Sequence, residues 1–302
     1  MDVPSELKEW PGHIGNWGRW PNDRGTLNLI TQDVTARGVA SSKTGQVISC
    51  ARETLEEDPI YGWPGVKNEM TFVGMPYPSG NLQTALDAVT IHPHGMFNTH
   101  IDAFAHVGYK GYTFNGRRFD DVVDQENGAK LQDSRDLLGI VTRGVFVDVA
   151  RARGVKGLEP GDFVRPEEIE AAVALTQPGD ALIIRTGVSQ IPGIPPKEGE
   201  ERHGKIGGLH YECVNLLGRS GVSVLASDSP SDVFPSPIAE ICESPVHRLS
   251  LVFWGIPLVH NMDLEALGEA CAAQNRNDFL FVVSALNIPK TTGCLCTPVA
   301  VL

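Results

Sequence analysis

The segment Thr99-His100-Ile101-Asp102-Ala103-Phe104-Ala105-His106 brings two imidazoles and a carboxylate close together, and His94 lies just upstream. Side chains alternate faces along an extended strand, so His100 and Asp102 leave by the same side. That face offers a neutral nitrogen and an anionic oxygen to one point in space, a donor pair suited to a borderline divalent ion such as Zn²⁺ or Mn²⁺. His106, four residues past the aspartate, is placed to act as acid or base beside such an ion instead of ligating it. The chemistry indicated is metal-assisted, with hydrolysis the first choice.

A single histidine on a strand is usually a hydrogen-bonded structural residue, and nine histidines in 302 residues is unremarkable. Here the clustering matters. His92, His94, Met96, Asn98, His100 and Asp102 share one parity, so an unbroken strand would line one face with them. A core face does not collect so many polar groups, because each buried one needs a partner. The face is therefore either solvated or coordinating. Ile101, Ala103, Phe104 and Ala105 read as packed interior and argue against simple solvation.

Several elements must position these groups. Residues 137–149 read as a buried strand ending in Asp148, and Ala181–Arg185 as a second, after the turn Pro178-Gly179-Asp180. Pro166 to Leu175 has proline at its start and Glu167 and Glu168 in its first turn, which predicts a short helix. His210 to Leu217 and His247 to Trp254 read as helices, Val222 to Ala226 and Phe279 to Leu286 as strands. The alternation predicts an α/β fold with a mixed sheet. One domain over 1–302 is expected, with residues 1–65, which hold Trp10, Trp17, Trp20 and Trp63, as an N-terminal arm and loops.

Composition narrows the partners. An apolar content of 41% can build a core, while a net charge of −12 without a basic cluster excludes nucleic acid and anionic membrane as natural partners. No apolar run approaches the ~18–20 residues needed to span a bilayer. Met1 to Glu6 lacks the basic and apolar regions of a signal peptide, so a cytoplasmic location is expected. The six cysteines include no CxxC pair, and Cys294 and Cys296 read as buried thiols. The apolar tail Pro298 to Leu302 must pack into a sheet or a neighbouring subunit, and a homo-oligomer, dimer or tetramer, is expected.

The run Thr99-His100-Ile101-Asp102 followed by His106 resembles the metal-dependent cyclase/hydrolase family of kynurenine formamidase and isatin hydrolase, whose signature reads His-x-Gly-Thr-His-x-Asp-x-Pro-x-His. Other stretches carry the similarity along the chain: Gly144 to Arg151, Pro178 to Gly187 with its Arg185-Thr186-Gly187, and Pro245-Val246-His247 followed by Gly255-Ile256-Pro257. Trp17-Gly18-Arg19-Trp20 and Gly25-Thr26-Leu27-Asn28 look like the family's longer subgroup. The resemblance implies a swivelling β/β/α fold, a divalent metal, and hydrolysis of an amide, cyclic amide or lactone.

Departures from the signature locate the open questions. The family's first ligand falls at Met96, a poor donor to such ions. Its glycine is Asn98, its proline is Phe104, and its late glutamate falls at about His260. His100 and Asp102 remain, with His94 and Asn98 as candidates to replace the missing ligand. His260 completes a set that would hold one Zn or Mn ion, and His106 would move the proton. His247 either stands beside the ion, binds a second one, or hydrogen-bonds the sheet. His210, after Gly207-Gly208, is a candidate for contact with substrate or oxyanion. His13 and His203 are assigned no role. Trp17, Trp20, Trp63 and Phe104 would wall a flat aromatic or cyclic substrate, or else the tryptophans pack the arm onto the domain. The leading expectation is opening of an amide or cyclic amide in a small substrate. A dienelactone-type lactone or ester hydrolase, a metal-dependent lyase, and a metal-free binding protein with a decayed site are the competing readings.

Overall fold

A computed structural model of the chain describes residues 15–191, 193–197 and 204–302. His13, His203, Trp10 and the Met1 to Glu6 segment lie outside these residues. In chain order the strands used below are β1 (Val47–Ser49), β2 (Val66–Gly74), β3 (Thr84–Ile91), β4 (His100–Asp102), β5 (Ile140–Asp148), β6 (Ala181–Arg185), β7 (Val224–Ser227), β8 (Leu258–His260), β9 (Asp278–Val283), β10 (Gly293–Leu295) and β11 (Val299–Val301).

Nine of them form one mixed sheet in the order β1-β11-β9-β5-β6-β7-β8-β4-β10. Strands β5 to β8 are parallel, and every pairing outside that centre is antiparallel. The sequence explains the division. β6 and β7 are buried at every position, as parallel strands covered on both faces must be. β9, on the antiparallel side, alternates buried and half-buried residues.

The helix over Pro166–Leu175 forms as its start signals predict: Arg165 N donates to Glu168 Oε2 at 2.7 Å, closing the first turn. The helix read from His210 runs over Glu212–Ser220 and stops at Gly221 in the left-handed region. Pro245–His247 begins the helix expected at His247, which continues as a π-helical segment, Arg248–Trp254.

One expectation changes, and one pair of alternatives is decided. Residues 32–49 are not a loose arm: Gln32–Ser41 is a helix lying on β5 and β9, and β1 is an edge strand of the main sheet. The helix sits so close that a Cβ on Gly38 would come 2.6 Å from the Thr142 carbonyl carbon, so only glycine fits. The C-terminal tail packs within its own chain, as β11 between β1 and β9 with Leu302 buried. The hairpin β2–β3 stands apart from the main sheet, its strands pair with each other, and all but their end residues are exposed.

Candidate metal centre

β4 lies between β8 and β10, and in that register His260 sits directly opposite His100. Cross-strand partners share a face, so the two imidazoles project together, with ring centroids 5.1 Å apart. Asp102, two residues along β4, joins them as the parity argument requires. All three are buried, and Asp102 has no exposed surface. His100 and His260 form the floor of a cavity of about 230 Å³, with Asp102 beneath it, and its walls include Trp63, Met96, Val107, Pro230 and Phe234. The cavity lies beyond the carboxyl ends of β7 and β8, where open parallel sheets collect ligands.

Both oxygens of Asp102 face imidazoles. His94 Nδ1 donates to Oδ1 at 2.9 Å, with His100 Nε2 3.6 Å from the same oxygen. His260 Nε2 lies 2.9 Å and His247 Nε2 3.4 Å from Oδ2. The far sides of the rings are fixed as well. His100 Nδ1 donates to the Asn98 carbonyl at 2.8 Å, His260 Nδ1 meets Ser231 Oγ at 3.1 Å, and His247 Nδ1 donates to Asp232 Oδ2 at 2.6 Å. Asp232 also accepts the backbone N–H groups of Val246 and His247, anchoring the start of that helix. His94 Nε2 is 3.0 Å from Thr292 Oγ1. His106 stacks on His94 at 3.7 Å between ring centroids.

Protonation follows from burial and charge. Burial works against ionising Asp102, yet the surrounding imidazoles, His106 and His260 foremost by charge and His247 and His260 by hydrogen bonds, hold its carboxyl well below the usual range. Burial pushes His100 and His106 down to about 3 and lowers His260. Burial also opposes charging His247, but its hydrogen bonds to Asp102 and Asp232 push it up to about 10. Neutral His100 and His260 beside one ionised carboxylate, each held through its Nδ1, are the donor chemistry a Zn²⁺- or Mn²⁺-type ion takes. Two triads have donor atoms within 4.8 Å of one another: His94, His100 and Asp102, and Asp102, His106 and His247.

The structure brings together most of the residues singled out in the sequence, and rearranges some. No unbroken strand runs from His92 to Asp102: β3 ends at Ile91, the chain loops, and β4 starts at His100. His94 reaches Asp102 from that loop. Asn98 does not face the cavity as a ligand; its side chain bonds both backbone groups of Leu55, pinning the two segments together. His260 belongs to the Oδ2 side of Asp102 and not to the His94/His100 triad. His210 stacks between Phe163 and Tyr211, outside the cavity lining.

Of the four aromatic candidates, Trp63 lines the cavity. Trp17 donates its indole N–H to the Val252 carbonyl and stacks on Phe253, so it packs the N-terminal segment onto the domain. Trp20 lies under the Arg19 guanidinium beside a different surface cavity, and Phe104 is buried against Phe114. Asp232, Thr292 and Gly293 were not legible beforehand. A Cβ on Gly293 would sit 2.6 Å from His94 Cε1, so the glycine makes room for that ring. Nothing in the spacing of Thr292 and Gly293 points to His94, 198 residues before Thr292, whereas Asp232, in the serine-rich run that follows β7 and 15 residues before His247, is the one available hint.

Fold and site define an α/β protein with a buried His/Asp centre able to hold a metal ion. The family described as "Putative cyclase" matches residues 30–232, and the chain belongs to it. Among solved structures it is similar to one described as a novel cyclase, at 24% identity and TM-score 0.83 over 100% of both chains. An isatin hydrolase bound to the product analogue thioisatinate shares the fold at 14% identity and TM-score 0.57, covering 85% of this chain and 92% of that one. A predicted metal-dependent hydrolase from Bacillus stearothermophilus does so at 13% and 0.52, covering 84% and 97%. No curated protein matches the sequence. Among the described residues no helix is long and apolar enough to cross a membrane.

Proposed function

We propose that this chain is a metal-dependent hydrolase that opens an amide or cyclic amide bond in a small, aromatic or cyclic substrate. One observation carries the reading: a fully buried carboxylate, Asp102, lies beneath a cavity lined by the imidazoles that surround it. His94, His100 and Asp102 would hold one Zn or Mn ion, with His260 against the far oxygen of Asp102. Such an ion supplies Lewis acidity to a carbonyl and makes a water acidic enough to react near neutral pH.

The protein's own residues do the rest. His106, neutral and stacked on His94, takes a proton from the attacking water and returns it to the leaving nitrogen. His247 keeps a proton between Nε2 and Asp102 Oδ2, with Asp232 fixing its ring. Trp63, Met96 and Phe234 exclude water and present flat or apolar surface to a ring. The fold shared with an isatin hydrolase and a predicted metal-dependent hydrolase supports the same class.

Metal content by plasma emission spectrometry, on protein purified without chelator, is the first test. Near-stoichiometric Zn or Mn that disappears in His100→Ala is expected. Turnover is then sought among N-formyl anilines, cyclic imides, isatin-like lactams and unsaturated lactones. Hydrolysis of lactones alone would move the assignment to the C–O class, and no metal even after adding Zn²⁺ or Mn²⁺ would end the hydrolase reading.

The expected homo-oligomer belongs to this proposal too. Met70, Val73 and Val89 share one face of the β2–β3 hairpin with Val66, Ala85, Ile91, Asn68 and Asp87, and the first three are each more than half exposed. Two copies meeting on that face would hide on the order of 1,000 Å² in all, the lower bound of a specific interface.

A further inference from the structure

A second cavity, of about 280 Å³, adjoins the metal cavity of about 230 Å³. Met96 and Pro230 line both, so these two residues form a wall that the cavities share. The loop of residues 58–63 serves both as well. It gives Trp63 to the metal cavity and Tyr61 to its neighbour, with ring centroids 6.1 Å apart. Pro59, Ile60, Phe97, Val188 and Ile206 make the second lining largely apolar.

The two parts of the shared wall differ in kind. Pro230 is a rigid ring on a buried segment. Met96 is an unbranched side chain with a polarisable thioether, the type that repacks most readily. It packs in a small cluster with Ile206 and Phe234. Ile206 belongs to the second cavity and Phe234 to the metal cavity, so the Met96 side chain lies across the boundary. Its backbone is fixed independently: the Gly95 carbonyl accepts from Asn261 Nδ2 at 2.9 Å, and the Asn98 side chain bonds Leu55. The side chain is therefore the movable part of the wall.

Each cavity alone is smaller than the ~300–1,000 Å³ of small-molecule sites, and the two joined reach into that range. We propose that they are two halves of one binding site, partitioned by the Met96 side chain. The site takes a two-part ligand, with a ring in the metal cavity and an apolar arm, such as a second ring, in the other. Met96 then sets how long a substrate the protein accepts; that role rests on the hydrolase reading, whereas the binding itself does not.

Phenol and 4-phenylphenol differ by one ring, and titration calorimetry of both against the full chain tests the idea. The native protein should bind both, the longer probe more tightly. Met96→Ala removes the partition, so the advantage of the longer probe should rise about tenfold, because no side chain has to leave apolar contact to admit it. Ser189 is exposed and lines the second cavity but not the metal cavity, so Ser189→Trp blocks the second cavity from its rim. That variant should abolish the advantage and leave phenol binding as it was, and it decides the matter even if Met96→Ala fails to fold. A ratio of affinities that neither variant changes would mean that the second ring stays out of the second cavity, and overturns the proposal. So would an advantage that survives Ser189→Trp, or a native protein that binds neither probe. A protein that hydrolyses nothing in the substrate panel, yet shows both shifts, would separate failure of the hydrolase reading from success of this one.

Discussion

The floor of the metal cavity and its outer wall are built in opposite ways. His100, Asp102 and His260 stand on paired strands inside a nine-stranded sheet and are almost wholly buried. Trp63 and His94 flank the root of the β2–β3 hairpin, whose faces are largely exposed. An isolated two-stranded hairpin is marginal in water. The floor is thus held by the core of the protein, whereas the wall depends on a few specific tethers: Thr292 and Asp102 on His94, and Asn98 on Leu55. The sheet holds His100, Asp102 and His260 rigidly, while His94 is held by side-chain tethers from a loop.

The largest effect expected from breaking this arrangement is at the floor. Asp102→Asn removes the charge shared by four imidazoles, so bound metal should be lost and turnover should fall by more than the ~10–100-fold typical of losing a supporting partner. Metal analysis beside a steady-state assay checks it; an Asn variant that keeps its ion would show that the carboxylate is not the pivot. Asp232→Asn comes next. It leaves every proposed ligand in place but weakens the hold on the His247 ring and on the helix start, and should cost about 10–100-fold in activity or metal affinity. If Asp232→Asn matched Asp102→Asn in severity, the distinction between donor and support would fail.

The hairpin should respond in assembly more than in chemistry. Val89→Asp adds a second carboxylate beside Asp87 on the face that carries Met70 and Val73. Light scattering should then shift from dimer or tetramer toward monomer, while metal content stays unchanged, because the floor lies in the sheet. A native protein that is already monomeric would remove the proposed role of that face.

Legibility in the sequence followed the same division. β6 and the helix over Pro166–Leu175 could be read to the residue, because uniform apolar runs and a proline with acidic residues in the first turn are local signals. His100 and Asp102 were legible for the same reason: a period of two needs only three residues of strand, and β4 supplies three. The parity extended back to His92 failed because one strand ends at Ile91 and the next starts only at His100; His94 arrives at Asp102 through a loop and not along a common face. Thr292 and Gly293 act on His94, far away in the chain, so only the folded sheet brings them together, while Asp232 reaches His247 across a stretch of 15 residues that carries no local signal. The tryptophans left two readings open because burying a ring is equally good chemistry for a pocket and for a core: Trp63 lines the cavity, while Trp17 packs against Phe253.

Trp17 gives the smallest effect and tests that last point. Its indole N–H donates to Val252 O and its ring stacks on Phe253, on the π-helical segment and outside the cavity lining. Trp17→Phe keeps the stacking and removes the hydrogen bond, so it should cost about 1 kcal/mol of stability. Denaturant unfolding would register that loss as a lower midpoint, with KM and kcat unchanged. A selective rise in KM without loss of stability would instead return Trp17 to the substrate pocket, and would mean that the N-terminal segment rearranges when substrate binds.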